Sequence, residues 1–559
     1  MLSKIYKITL LLFLVFFCQN AVYSKSFEKK NVYNYFSALV SLQNNNNIES
    51  LDYFNSSKEL KEFHESYMKK YIFSLVLSEK VNKAINEVKT TKEKKFIDFF
   101  ESHLLLLVDA IKKKNYKKGL EYISELKKYE RRGTFELIIS NFLEEYINLF
   151  NYKKIKSSSE QKFGKFSLIN KALQNCYLGN KNTESFFENL INYEEESNSR
   201  YLFFYANYLI SKNNNSKAKD IFNDVNPINS TLLVAQGKKL IDEGNYKDFK
   251  NIFSCQNSSD IIGEFFFIIS NLYSSEGEIE KSNFYFNLSN FLNPKFQFNS
   301  ALLADNYFQL KDFDRVEKIL KNFNKKNEIY YWYRIKNIAK IINKKHDSDK
   351  AFKYIKAKFD LIANPSLKTI YEMGNVCKGF DKYDLAISYY TEVLSKLEFK
   401  SYTYADVLFR RGGSYERIGN YEKGDEDLLK SLEINPDEPH VLNYLAYSWL
   451  ERNNNIETAF SMLKNAHAQK KNDPYIIDSI GWAYYLVGNY IEAEKLLRKA
   501  IKLMPLDPIV NDHYGDILWK LGRKTQANYF WKNVLTLEDT KDEMKKDIFF
   551  KLLKGPKNT

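Results

Sequence analysis

Residues 474–505 read PYIIDSIGWAYYLVGNYIEAEKLLRKAIKLMP, and this stretch decides the fold. Ile477, Ile480, Gly481 and Tyr484 fall at i, i+3, i+4 and i+7, one stripe of an α-helix. Leu496, Leu497 and Ala500 form an answering stripe, with Gly488-Asn489 between the two. Glycine and asparagine tolerate left-handed backbone angles, so the dipeptide predicts a turn joining two antiparallel helices. Small residues at Gly481 and Ala493 let the two backbones approach closely. Pro505 marks the end of the second helix, because the residue before a proline is pushed out of helical geometry.

The same punctuation recurs along the chain. Gly-Asn-Tyr stands at 244–246, 419–421 and 488–490, with variants at 114–116, 311–313 and 381–383. A glycine precedes the tyrosine by nine residues at Gly237, Gly374, Gly412 and Gly481. Pro474 and Pro508, Gly481 and Gly515, Gly488 and Gly522, and Ala493 and Ala527 set a period of 34 at the carboxyl end. A fixed period of this size indicates stacked repeats. The asparagine runs 44–47, 213–215 and 453–455 fall where first helices should end and are expected to be turns.

Composition agrees. The chain has 559 residues, too many for one compact domain, with 19 glycines and 9 prolines. These are about 3.4% and 1.6%, against about 7% and 5% in average proteins. Hairpins and alternating strand–helix units need more turn residues than that, so β-rich and doubly wound folds are disfavoured. Forty-three Phe and 41 Tyr supply the apolar area for a long core.

The pattern resembles the tetratricopeptide repeat, which places a small residue at position 8, an aromatic at 11, glycine near 15, alanine at 20 and 27, and proline at 32. Segment 474–507 meets it with Gly481, Tyr484, Gly488, Ala493, Ala500 and Pro505. Segment 405–438 does so with Gly412, Tyr415, Gly419, Gly424 and Pro436, and 439–473 with Ala446, Ala459 and Ala466. The match is good over 366–540, divergent over 201–365 and reduced to helix-pair periodicity over 25–200. The resemblance implies an all-α solenoid of helix-turn-helix units, each burying its face against its neighbours. Residues 541–559 offer a capping helix with Met544, Ile548, Phe549, Leu552 and Leu553, and a tail.

Residues 1–24 have the layout of a secretory signal peptide: Lys4 and Lys7, an apolar run over 8–17, and Val22-Tyr23-Ser24 before Lys25. The apolar run is about half of what a spanning helix needs. Export to the periplasm is therefore expected, with a retained membrane anchor as the alternative. Cys18 invites lipidation, but Phe16 and Phe17 stand where a lipobox has small residues. Cys176, Cys255 and Cys377 remain after cleavage, and their odd number and wide spacing imply buried thiols rather than a disulfide framework.

No phosphate-binding loop, nucleophile elbow, His-Glu-x-x-His or Cys-x-x-Cys occurs, and the six histidines lack metal-ligand spacing. Catalytic, cofactor-binding and metal-binding residues are therefore not expected, and neither is enzymatic activity. An alternative places an unrecognised site in the irregular region 130–200, near Cys176. The formal charge of +14 becomes +12 without Lys4 and Lys7, and the lysines are dispersed among glutamates. That argues against nucleic acid and leaves peripheral attraction to an anionic membrane surface open.

By the resemblance, positions 2, 5, 9 and 12 of each first helix line a concave groove that receives peptides. The final repeats place Tyr475, Asp478, Trp482 and Tyr485 there, then Ile509, Asp512, Asp516 and Trp519. Asn443 and Tyr447 belong to the repeat before, and Asp406, Phe409, Gly413 and Glu416 to the one before that. Acids and amides would bond a backbone or basic groups, and the aromatics would supply apolar contact. The competing reading has Trp482 and Trp519 packing between repeats and the acids facing water. The family's carboxylate clamp uses Lys, Arg and Asn, so Asp478 and Asp512 make an acidic tail a poor ligand. The phrases at 442–448, 478–482 and 511–516 also resemble exported repeat proteins of Gram-negative, particularly alphaproteobacterial, cells. The expectation is an envelope scaffold or adaptor that binds partner proteins. The alternative is an outer-membrane or secretion and polysaccharide-export accessory lipoprotein.

Overall fold

The turn at Gly488-Asn489 divides its labour between the two residues. Gly488 takes φ +80°, ending the helix Pro474–Leu486, while Asn489 keeps φ −85° and accepts a hydrogen bond from the Glu492 amide. Only the glycine is left-handed; the asparagine is the N-cap of the next helix. Asn46, Asn115, Asn214, Asn245 and Asn420 cap their helices in the same way, and Asp312 does so with its carboxylate. In the asparagine runs, Asn45, Asn213 and Asn453 occupy the left-handed position, so these runs are turns. One device thus stops and restarts the helix at these turns, while before Ile279, Tyr383, Ile456 and Lys524 the left-handed stop stands without a side-chain cap.

The computed structural model describes residues 28–131, 134–155, 164–192, 199–345 and 347–556. The expected signal peptide, Cys18 and His346 lie outside them. Among the described residues there are thirty α-helices, three short 3-10 helices and no strand. None of those helices is long and apolar enough to cross a membrane. Two units are formed, one from residues up to 225 with 230–341, the other from 226–229 with 342–559.

The second unit follows the repeat pattern. Its helices pair as Leu367–Gly379 with Tyr383–Leu394, Tyr402–Arg417 with Tyr421–Ile434, Pro439–Glu451 with Ile456–Gln469, Pro474–Leu486 with Tyr490–Leu503, and Pro508–Lys520 with Lys524–Val534. Ala493, Leu497, Ala500 and Trp531 are fully buried between helices. A Cβ added to Gly515 would lie 2.4 Å from Trp531 Nε1, so the indole occupies the room that the missing side chain leaves. Helix Asp542–Lys554 caps the stack, burying Ile548 with Met544 and Leu552 beside it, while Phe549 and Leu553 stay exposed.

The first unit is less linear than a neighbour-to-neighbour stack. The rings of Phe73 and Phe284 stack at 5.1 Å. Tyr307 Oη donates to the Leu77 carbonyl at 3.1 Å, and Arg315 Nη1 donates to Tyr307 Oη at 3.1 Å. Tyr116 and Ser258 share a 2.8 Å hydrogen bond. Apart from the local Arg315–Tyr307 bond, these contacts join residues 142 to 230 positions apart, so helices before residue 130 return onto helices from 258 onward. One hydrophobic core runs from Tyr35 to Phe296.

A disulfide also ties this unit. Cys176, on the helix Lys165–Leu178, is bonded to Cys255, and both are buried. The expectation of buried free thiols is corrected for these two and holds for Cys377, which is free and buried. Spacing could not find the pair because the partners are 79 residues apart and are brought together by tertiary packing. Replacing both cysteines by serine is expected to lower the stability of this unit by about 2–4 kcal/mol, through the freed loop entropy. A urea midpoint unchanged from the oxidised wild type would contradict this.

Candidate protein-binding groove

The groove helices begin at fixed points. Asp473 accepts hydrogen bonds from the amides of Tyr475 and Ile476, and Asp507 from those of Ile509 and Val510, each just ahead of a proline in the first turn. That cap sets the register, so residues 475, 478, 482 and 485 share a face.

The structure joins Tyr447, Asp478 and Trp482 at His513 and Asp512 and Asp516 at Lys551, and gives the predicted residues different exposure. Tyr475 and Ile509 stand at the rim, 62% and 50% exposed. Trp482 and Tyr485 are buried, their rings stacked at 4.5 Å, and the other face of Trp482 meets His513 at 4.1 Å. Trp482 Nε1 donates to Glu451 Oε1 of the preceding repeat at 2.8 Å. The floor is therefore an aromatic stack that couples three successive repeats. Tyr447 is half-buried with its ring 6.3 Å from His513, and burial together with Glu451 and Asp478 pushes its hydroxyl well above the ordinary range. Asn443 is half-buried.

The acids do not simply face water. Asp478 is buried, with Oδ2 2.9 Å from His513 Nδ1. Burial works against the charge of His513, yet Asp478, helped by Asp512 and Asp516, outweighs it and raises the imidazole pKa. Asp512 and Asp516 meet Lys551 of the capping helix, at 2.8 Å and 3.0 Å. Trp531 Nε1 donates to Asp516 at 3.1 Å. Trp519 packs 5.4 Å from the Trp531 ring, with the Lys524 ammonium 4.9 Å above it. Further back, Asp406 accepts from Tyr371, and Glu416 from Tyr444, whose ring meets Phe409 at 5.7 Å.

Sequence reasoning missed two members of this site. His513 carries no local signal, because its stacking on Trp482 joins helices of two different repeats. Lys551 had a legible signal: it falls on the stripe Met544, Ile548, Leu552, where a charge needs a buried partner. Outside the groove, ligand atoms of Asp98, His103 and Glu125 lie within 4.8 Å of one another. They are already engaged, with Tyr129 Oη and His103 on Asp98 and Lys128 on Glu125. Cys176, the residue singled out in the region 130–200, is consumed by the disulfide and offers no thiol.

Comparison with known proteins places this site in context. A family model described as tetratricopeptide repeat matches residues 405–438 and 476–505, the second of which holds Asp478, Trp482 and Tyr485. The TPR repeat-containing protein PA4667 of Pseudomonas aeruginosa is 31% identical over 111 residues, 20% of this chain. The chain spans about a fifth, 19%, of that relative's length. A tetratricopeptide repeat protein from Parabacteroides merdae is 21% identical over 40% of this chain and 85% of its own, with TM-score 0.31. MamA from Desulfovibrio magneticus is 18% identical over 32% and 97%, with TM-score 0.26.

Proposed function

From the premise that residues 405–438 and 476–505 are tetratricopeptide repeats, we propose that the chain is an exported scaffold that binds partner proteins in the cell envelope. It acts by presenting the groove of its second unit, with no bond-making chemistry. The observation that carries this reading is the continuous row of rim tyrosine, buried aromatic stack and acids from Asn443 to Trp519. A rigid aromatic floor with polar groups along it suits an extended peptide, since the stack is ordered before binding and little entropy is lost.

The disulfide supports export. Such bonds persist in oxidising compartments and are rare in a reducing cytosol, and the sequence begins with a signal-peptide layout. Intact mass of the protein purified from cells should correspond to a chain starting at Lys25 with two cysteines oxidised. A retained leader, or a lipid on Cys18, would contradict periplasmic release.

Variants that test the groove must spare the fold. Asp478, Asp512 and Glu451 carry bonds to His513, Lys551 and Trp482, so Tyr475 and Ile509, both exposed, are the better positions. Tyr475→Ser with Ile509→Ser is expected to cut partner recovery from envelope extracts about tenfold, with unchanged helical content. Equal recovery by wild type and variant would remove the groove from the account.

A further inference from the structure

What the groove recognises can be read from two places in the same row, on the basis of the groove reading above. In the last repeat, the chain supplies its own occupant. Lys551 Nζ lies 2.8 Å from both oxygens of Asp512 and 3.0 Å from Asp516, so the acidic row already holds a primary ammonium. Burial disfavours that ammonium, and the two carboxylates more than offset the loss.

One repeat earlier the same row is only half satisfied. Asp478 is 6% exposed, and its Oδ2 is engaged by His513. Its Oδ1 is closed off from water and has no hydrogen-bond partner. Asn443, at the equivalent fifth position of the preceding repeat, has an Oδ1 in the same condition. Leaving such atoms unpaired is costly, more so for a charged group. Both orphaned atoms are acceptors, so what they lack is a donor. Glu451 adds a second carboxylate at the rim, and a pair of carboxylates favours a cation over a neutral donor.

We propose that the groove between Asn443 and Trp482 opens to a lysine or arginine side chain from an extended segment of the partner, which uncovers Asp478 Oδ1 and Asn443 Oδ1 and donates to them. The capping helix shows the same chemistry within the chain, with Lys551 in the place of the partner's cation. An acidic segment is rejected, because Asp478, Glu451 and Asp512 would all repel it.

The test is selection of random peptides of about 12 residues on the full-length protein, followed by affinity measurement on synthetic peptides by fluorescence anisotropy. Tyr475→Ser identifies the peptides that use the groove. Among these, replacing one lysine by norleucine, or one arginine by citrulline, should weaken binding to the wild type about tenfold. Against Asp478→Asn, which keeps the side-chain shape, the same replacement should cost less than about threefold. Groove-dependent peptides with no required cation would overturn the proposal and leave the groove reading standing. So would a cation whose loss costs as much in Asp478→Asn, as expected if water satisfies Oδ1. If no selected peptide depends on Tyr475, the groove reading falls, and this proposal with it.

Discussion

Replacement of Lys551 by methionine is expected to destabilise the second unit by about 3–5 kcal/mol. The volume is nearly conserved, so the loss is electrostatic. The Lys551 side chain is 10% exposed and that of Asp516 4%, and the substitution leaves two carboxylates facing each other across the mouth of the last repeat. The effect depends on pH with a definite sign. Burial and Asp512 push the Asp516 carboxyl up to about 6 from an ordinary 3.8, even with Lys551 pulling against them. Without Lys551, Asp516 takes up a proton more readily still. The folded variant then holds a proton that the unfolded chain has released above about pH 4, so its stability falls as pH rises from there through 6 and beyond. The deficit should be smallest in mild acid and largest above neutrality. Chemical denaturation followed by tryptophan fluorescence can read this, since Trp449, Trp482, Trp519 and Trp531 all lie in this unit. A deficit under about 1 kcal/mol at pH 8, or one that grows in acid, would contradict the assignment.

Trp531→Ala should cost about 3–5 kcal/mol, as expected for a fully buried indole. More informative is its coupling to Gly515. A Cβ on Gly515 would lie 2.4 Å from Trp531 Nε1 and 2.6 Å from Cδ1, atoms of a rigid ring. Gly515→Ala alone is therefore expected to destabilise by about 1–3 kcal/mol. In the Trp531→Ala background that clash is gone, and the same change should be neutral or stabilising by up to about 1 kcal/mol, from helix propensity. Hydrogen exchange across Pro508–Val534 can read both, independently of the lost fluorophore. Equal effects of Gly515→Ala in the two backgrounds would refute the packing argument.

Legibility in the sequence followed the range of the interaction. Gly488 and Asn489 act on their own helix ends, so the turn and the 34-residue beat could be read directly. Ala493 and Gly481 act across one turn, and their close approach was legible too. The return of Phe73 onto Phe284, and of Leu77 onto Tyr307, has no local period and left no trace. The disulfide at Cys176 failed for the same reason: its partner is a matter of tertiary topology.

The groove was legible as a row but not as an environment. Positions 475, 478, 482 and 485 do share a face, as helical geometry requires. Their burial depends on the next repeat, where His513 covers Trp482, and on the capping helix, where Lys551 covers Asp512 and Asp516. Both packing and polar engagement operate here. Trp482 packs between repeats, and the acids beside it are engaged by an imidazole and an ammonium while Asp478 keeps one oxygen unmet. A side chain on that floor therefore serves stability first, and Asp478, with one oxygen unmet, is the position where the proposal above adds contact with a partner.

The most direct measurement is photocrosslinking in cells from two exposed positions on one repeat. Tyr475 is on the groove helix, 62% exposed, and Ile491 is on the second helix of the same pair, 78% exposed. A photoreactive residue at 475 is predicted to give discrete protein adducts that disappear when Ile509→Lys is added at the same rim, while one at 491 gives none of them. The same adducts from both positions, or none from 475, would contradict a binding groove.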